Sequence, residues 1–186
     1  VLDKIEYSLK NTKYKNLVRD VFFGRTCTQR ICKGGCGSMT NNFADLVYLS
    51  VGVKNINSLN ASLNQFILED TIDDFYCDCC KTKIKQSMRT SLSSLPNILL
   101  IHLKRFDYDY TKEKNEKINS RLEFPSKLNM KEYTTEYLCN DFSEELKTPE
   151  FKNEVFLKNE DYYNYRLVGV NVHIGHADGG HYYSYI

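Results

Sequence analysis

The last residues of the chain, DGGHYYSYI at 178–186, place one histidine between a glycine pair and a run of aromatic residues. The alternation that follows the histidine is typical of a β-strand. An ordinary strand needs no glycine pair before it, and a core histidine needs no flexible approach. A histidine that acts as a general base beside a narrow substrate channel would use both features. His181 is therefore the first candidate for acid–base chemistry.

The cysteines offer a second kind of chemistry. There are seven of them, an odd number, and six fall in two short clusters, which favours a metal site over a disulfide framework. Cys32 and Cys36 form one close pair, and Cys77 and Cys80 form another. Two such pairs make a tetrahedral four-thiolate site for Zn²⁺, and four protein ligands make the metal structural rather than catalytic. The remaining cysteines are predicted to be small buried apolar residues: Cys27, Cys79 and Cys139.

Composition limits the classes of partner. The chain has 186 residues, 41% of them hydrophobic, which is enough for one domain with a substantial core. With 25 basic and 24 acidic residues the net charge is +1, so no bulk field attracts nucleic acid or an anionic membrane. We find no leader sequence and no apolar run of bilayer length. The clustered cysteines favour a reducing compartment, cytoplasmic or nuclear.

Hydrophobic periodicity predicts the elements that must position these residues. They are a helix at 1–9, an extended segment at 17–23, a strand at 47–53, a helix at 59–67 capped by Ser58, a central buried strand at 98–103 that contains His102, a charged loop or hairpin at 107–121 and a strand at 168–174. Residues 139–162 show no sustained period and are interpreted as an insertion. The pattern predicts an α+β fold with a mostly antiparallel sheet and a metal-bound projection.

Three stretches carry a resemblance to a known family: LPNILLIHLKRFDYD, LEFPSKLNM and YRLVGVNVHIGHADGGHYYSYI. They resemble the catalytic domain of the ubiquitin-specific proteases, most closely the large fat-facets type, from about Leu17 to Ile186. The resemblance implies a hand-shaped fold of the papain-like cysteine protease superfamily, with a zinc ribbon at the finger tips. It divides the chain into three parts: 1–24 as the end of the thumb and the entry to the palm, 25–90 as the fingers, and 91–186 as the palm with the insertion at 139–162.

The same resemblance implies roles for individual residues. His181 matches the histidine that activates the catalytic thiol, whereas His173 has a structural role and His176 is a solvated loop residue. Gly179, Gly180 and Tyr182 belong to a loop beside the channel that receives the C-terminal tail of ubiquitin, and residues 107–121 form another such loop. The four paired cysteines match the zinc ribbon. Ubiquitin and ubiquitinated proteins are the expected partners, with neither nucleic acid nor a membrane among them.

Two members of the family's catalytic triad have no counterpart in this sequence. The resemblance places the nucleophilic cysteine before Val1 and an Asp or Asn after Ile186, so we expect a chain truncated at both ends that is inactive alone. One alternative is a non-catalytic ubiquitin-binding module with a structural zinc ribbon. Another is a zinc-ribbon module for nucleic acid or scaffolding, which the net charge of +1 and the lack of a basic stripe disfavour.

Overall fold

The computed structural model describes residues 2–111, 113–141 and 158–186, with 139–141 described by their backbone alone. Helices and strands alternate irregularly along the chain. The helices are α1 (Leu2–Leu9), α2 (Leu17–Phe22), α3 (Leu59–Phe66) and α4 (Thr135–Asp141). The strands are β1 (Gly24–Cys32), β2 (Met39–Leu46), β3 (Leu49–Gly52), β4 (Asp70–Cys77), β5 (Thr82–Ser94), β6 (Ile101–Lys104), β7 (Phe106–Asp109), β8 (Lys114–Lys117), β9 (Lys127–Asn129), β10 (Asn164–Arg166), β11 (Val170–His176) and β12 (Gly179–Tyr185).

The largest sheet is antiparallel, in the order β2-β1-β5-β4, and we call it the long sheet. Its central strand β5 has 13 residues. That length lets β5 pair with β1 from Arg25, opposite Ser94, to Cys32, opposite Gln86, and with β4 along its first half. The turns that join β1 to β2 and β4 to β5 therefore lie at the same end of the sheet. These two turns carry the paired cysteines.

The hydrophobic core lies at the other end of β5, where Leu92 is buried against β3 and α3. Leu49, Val51 and Val53 are each 1% exposed, as the alternating pattern predicted for this strand. Helix α3 begins where predicted, because the Ser58 hydroxyl accepts a hydrogen bond of 3.2 Å from the Ala61 amide. Strand β3 pairs in parallel with β6, whereas the other strand pairs among the described residues are antiparallel.

We expect Leu63→Ala to lower the free energy of unfolding by roughly 2–5 kcal/mol, because it opens a cavity in close-packed surroundings. Leu63 is 0% exposed and belongs to the core cluster. Urea denaturation followed by circular dichroism measures the change. The matched control is Leu68→Ala, since Leu68 is 66% exposed and its replacement should change stability by less than about 0.5 kcal/mol. Equal losses for the two variants would contradict this position of the core.

Two predicted elements differ from the structure. Residues 17–23 were predicted to be extended, but Leu17–Phe22 form α2, in which Val18 is buried. The β-branched and aromatic residues of this segment favour strands, and tertiary packing of one helical face overrides that preference. The predicted central strand at 98–103 begins only at Ile101, and within the described residues it pairs with β3 alone. Ile98 and Leu100 are exposed.

The predicted insertion at 139–162 has structured ends. Helix α4 extends through Asp141, and a 3-10 turn spans Glu160–Tyr163. Tyr163 is 1% exposed, and its hydroxyl donates a hydrogen bond to Glu136 in α4. The two borders of the segment are thus joined to each other, while residues 142–157 lie outside the described part of the chain.

Candidate functional site

His181 lies on a two-stranded antiparallel hairpin formed by β11 and β12. It is the third residue of β12 and stands opposite Ile174 in β11. Its side chain is exposed to solvent. A short turn at Ala177 and Asp178 joins the strands, so the imidazole lies close to the tip of the hairpin. This placement leaves the ring accessible to a thiol and a substrate, as a general base requires.

Two glycines in this hairpin are required by its geometry. Gly175 has φ +128°, a conformation that a residue with a side chain rarely adopts. A Cβ atom on Gly180 would lie 2.2 Å from the Ile174 carbonyl oxygen and 2.4 Å from Nε2 of His173. Gly179 differs, because a Cβ there would meet no atom within 4 Å. Of the two glycines predicted to keep the backbone thin, only Gly180 is needed for contacts within the hairpin.

The contrast between these neighbours gives a prediction. Gly180→Ala should destabilise the hairpin by about 1–3 kcal/mol, since backbone and ring atoms must shift to admit the methyl group. Gly179→Ala should leave the hairpin unchanged. Hydrogen exchange of the amides at 170–185, read by mass spectrometry, distinguishes the two. Equal exchange in both variants would mean that Gly180 lies farther from the atoms of β11 than the distances above indicate.

His173 stands opposite Tyr182 in this hairpin, one register position from the pair that contains His181. Its ring packs edge-on against Phe106, with 5.4 Å between ring centroids, and is tilted over Tyr182 at 4.7 Å. Its Nδ1 atom is buried and has no hydrogen-bond partner among the described residues. Burial, and secondarily the positive charge of Lys117, lower the pKa of His173. The neutral ring packs between aromatic residues, which agrees with the structural role that the resemblance implies.

The other two histidines lie at the surface. His176 ends β11 and is exposed, as predicted. The prediction of a buried His102 is wrong, because its side chain is exposed on β6. Nδ1 of His102 forms a hydrogen bond of 2.8 Å with the hydroxyl of Ser50. The hydrophobic pattern predicted burial on both faces of this strand, but the face of the β3–β6 pair that carries His102 is exposed to solvent in the described part of the chain.

The four predicted metal ligands come together. Cys32 and Cys36 lie at the β1–β2 turn, Cys77 and Cys80 at the β4–β5 turn, and their four Sγ atoms all lie within 4.8 Å of one another. The Cys32–Cys80 and Cys36–Cys77 sulfur pairs are each 3.7 Å apart. A tetrahedral zinc site with Zn–S bonds of about 2.3 Å has sulfur–sulfur edges of about 3.8 Å. The sulfurs are too far apart for a disulfide, whose bond is about 2.05 Å, and fit a metal ion such as Zn²⁺.

Backbone amides support this cluster. The Gly34 amide donates to Sγ of Cys32 at 3.3 Å, and the Ser38 amide donates to Sγ of Cys36 at 3.4 Å. The Cys80 amide donates to Sγ of Cys77 at 3.5 Å. The Ser38 amide bond is the largest of the causes that lower the pKa of the Cys36 thiol to about 6. Amide donors of this kind stabilise thiolates, the form in which cysteine binds a metal.

The cysteines outside the cluster differ in burial. Cys27 is 0% exposed, as predicted for a small core residue. Cys79 was predicted to be buried, but it is exposed, because it occupies the turn between two ligands rather than a strand facing the core. The side chain of Cys139 lies outside the described residues. Cys79 is thus a natural comparison for the four ligands in mutagenesis.

Sequence reasoning missed the contacts that join the 107–121 region to the rest of the site. This region is a hairpin, as predicted, made of β7 and β8. Lys54 contacts Asp107 at 2.6 Å, and their hydrogen bond raises the pKa of Lys54 and lowers the pKa of Asp107. Lys117 reaches the hairpin that carries His181. The charges were read as a solvated surface, and no pattern within one segment indicates a partner more than 50 residues away.

No helix in the described ranges is long and apolar enough to cross a bilayer.

Comparison with known proteins gives consistent matches. The sequence profile described as ubiquitin carboxyl-terminal hydrolase matches residues 1–186. Human ubiquitin carboxyl-terminal hydrolase 9Y is 34% identical over 196 residues, which cover 100% of this chain and 8% of that protein. The probable ubiquitin carboxyl-terminal hydrolase FAF of Drosophila melanogaster is 32% identical over 189 residues, which cover 100% of this chain and 7% of that protein. The chain thus spans less than a tenth of the length of these relatives.

The fold is also similar to a solved structure, that of the SAGA Ubp8/Sgf11/Sus1/Sgf73 DUB module bound to ubiquitin aldehyde. The TM-score is 0.72 at 24% identity, over 96% of this chain and 37% of that chain. The predicted resemblance to ubiquitin-specific proteases of the fat-facets type is confirmed by the relatives, and the predicted fold class by the structural match. The chain belongs to the ubiquitin carboxyl-terminal hydrolase family.

Proposed function

We propose that the protein containing this chain is a deubiquitinating cysteine protease, which hydrolyses the peptide or isopeptide bond after the C-terminal Gly-Gly of ubiquitin. The observation that carries this proposal is the β11–β12 hairpin, which exposes the imidazole of His181 near a two-residue turn that Gly175 and Gly180 flank. The family match over the whole chain supports the reaction class. The solved relative bound to ubiquitin aldehyde supports ubiquitin as the ligand.

In this proposal His181 is the general base. It accepts the proton of a cysteine thiol, and the thiolate attacks the carbonyl carbon of the terminal glycine. The tetrahedral intermediate collapses as the imidazolium returns its proton to the leaving amine, and a thioester remains. Water, deprotonated by the same imidazole, then hydrolyses the thioester and restores the thiol. A substrate tail of two glycines fits a channel that Gly179, Gly180 and Tyr182 border.

We further propose that the nucleophilic thiol comes from outside residues 1–186. Four of the described cysteines form the sulfur cluster. Cys27 is 0% exposed within the long sheet and cannot reach a substrate. Cys79 lies in the turn between Cys77 and Cys80, and neither Cys79 nor Cys139 has a histidine adjacent in sequence. An Asp or Asn that orients the imidazole would likewise lie outside the chain.

The proposed metal is one structural Zn²⁺ per chain. It would be held by Cys32, Cys36, Cys77 and Cys80, and bound zinc supplies a cross-link between the two turns. The closed four-sulfur shell leaves no position for a substrate, so the zinc takes no part in the hydrolysis. Following the family, residues 25–90 are the fingers and 91–186 the palm, after an entry segment at 1–24.

Two assays test the function. The full-length protein should release the fluorophore from a ubiquitin C-terminal amide substrate, whereas the chain of residues 1–186 should bind ubiquitin without turnover. Binding of ubiquitin by a full-length protein that never cleaves the substrate would favour the non-catalytic module instead. Turnover by the isolated chain, lost in His181→Ala, would contradict the external nucleophile while supporting His181 as the base.

A further inference from the structure

Two hairpins meet near the candidate catalytic histidine, and side chains rather than a shared sheet connect them. The β7–β8 pair and the β11–β12 pair are separate two-stranded sheets. One connection is apolar, through the Phe106 ring of β7 and the His173 ring of β11. The other connection is polar and is made by Lys117, the last residue of β8. The relative position of the two hairpins depends on these contacts.

Lys117 binds two backbone carbonyls of β11 with one ammonium group. Its Nζ atom donates to the His173 oxygen at 2.9 Å and to the Gly175 oxygen at 3.2 Å. These two residues flank Ile174, the residue that stands opposite His181. The φ of +128° at Gly175 sets the local course of the backbone beside that bond. The ammonium therefore fixes the stretch of β11 on which the position of His181 depends.

The physical strength of this contact comes from its charge and its setting. Lys117 is half-buried, and hydrogen bonds from a charged donor contribute more than neutral ones. Carbonyls on the outer side of a strand otherwise need water or another strand. Losing the ammonium would leave two polar oxygens in a partly buried place without this donor. The aromatic contact between Phe106 and His173 would then hold the hairpins together without directional bonds.

The β7–β8 hairpin that carries Lys117 is itself held in place by several contacts. Phe106 is the register partner of Lys117 within the β7–β8 hairpin. Lys54 pairs with Asp107 at the next position of β7, at 2.6 Å. Nη1 of Arg105 donates to the carbonyls of Ile118 and Ser120, each at 2.9 Å, just beyond the end of β8. Because these contacts hold Lys117 in place, its ammonium group in turn holds the carbonyls of His173 and Gly175 in place.

We propose that Lys117 is a positioning residue for the reaction, which holds the β11–β12 hairpin so that His181 faces the thiol and the substrate. The proposal rests on the proposed function, because it takes His181 as the base. Lys117 contacts neither the nucleophile nor the substrate in this assignment. Its contribution is to the placement of the base, and small displacements of catalytic groups are costly.

The test compares variants of the full-length protein. Lys117→Met keeps the length of the side chain but removes the ammonium, and Lys117→Arg keeps a charged donor. The control is Lys127→Met, which removes an exposed lysine from β9 in another two-stranded sheet. The readouts are kcat and KM for the fluorogenic ubiquitin amide, the melting temperature, and hydrogen exchange of the amides at 170–185.

We expect Lys117→Met to lower kcat by about tenfold to a hundredfold, with KM changed less than about twofold. Exchange at 170–185 should rise while the melting temperature stays near that of the unmodified protein, and Lys117→Arg should recover part of kcat. A purely structural role would instead lower the melting temperature and change kcat and KM together.

Two results overturn the proposal: an unchanged kcat in Lys117→Met, whether or not exchange is faster, or the same loss of kcat in Lys127→Met. Its failure can be separated from failure of the proposed function. Absence of turnover by the unmodified full-length protein would contradict the proposed function, whereas full activity in His181→Ala would remove His181 as the base and with it the catalytic meaning of Lys117. In either case the exchange at 170–185 would still report on the link between the hairpins.

Discussion

Replacement of His181 by alanine in the full-length protein should lower kcat/KM for a fluorogenic ubiquitin substrate by about 10²- to 10⁴-fold. Without the imidazole, nothing at this position removes the thiol proton or returns it to the leaving amine. The side chain is exposed at the end of a hairpin, so its truncation creates no cavity in the core. Ubiquitin affinity and melting temperature should therefore remain close to those of the unmodified protein.

The control for this experiment is His102→Ala. His102 is likewise an exposed strand histidine, and the hydrogen bond described for its side chain is to Ser50. Its replacement should change kcat/KM by less than about twofold, as surface substitutions away from a site usually do. If both variants lose activity alike, or if His181→Ala retains full activity, the assignment of His181 as the base is wrong.

Loss of one sulfur ligand should have the largest effect on stability. We expect Cys77→Ser to abolish stoichiometric zinc and to destabilise the end of the long sheet. The free energy of binding at structural zinc sites is about 10–16 kcal/mol, which equals or exceeds the total stability of many domains, about 5–15 kcal/mol. Elemental mass spectrometry gives zinc per chain, and circular dichroism on heating gives the loss of stability. A strong chelator should reproduce the effect in the unmodified protein.

Cys79→Ser is the matched control for this variant. Cys79 is exposed and lies in the same turn as Cys77 and Cys80, but its sulfur is not one of the four clustered atoms. The variant should keep one zinc per chain and an unchanged melting temperature. Loss of zinc in Cys79→Ser, with zinc retained in Cys77→Ser, would require a different ligand set.

The sequence predicted best where chemistry depends on a short local pattern. The spacing of the paired cysteines indicated the cluster because each close pair brings two sulfurs to one turn. The long sheet then places the two turns side by side at one end. The cap at Ser58 and the alternation before it were equally local. The two strands at the end of the chain followed from their alternation, although the first was predicted at 168–174 and is observed at Val170–His176.

Prediction from the sequence failed where tertiary contacts determine the secondary structure or the exposure of a residue. The segment at 17–22 has strand-forming residues but is helical, because Val18 is buried on one helical face. The exposure of His102 depends on what covers the second face of β6, which its own strand does not reveal. The bond from Lys117 to the His173 carbonyl joins residues 56 positions apart. Such contacts can be recognised only after the chain has been folded in three dimensions.

The length of β5 has a consequence for how the domain can be divided. Thr82 lies beside the sulfur cluster, Leu92 is in the hydrophobic core, and one uninterrupted strand joins them. A cut at residue 90, the border that the family resemblance suggests, would sever the ladder between β5 and β1, which runs on to Ser94. Neither half would then be expected to fold when expressed separately. One strand thus joins the sulfur cluster to the core, so depletion of the proposed zinc should speed hydrogen exchange at amides of β5 far from the sulfurs.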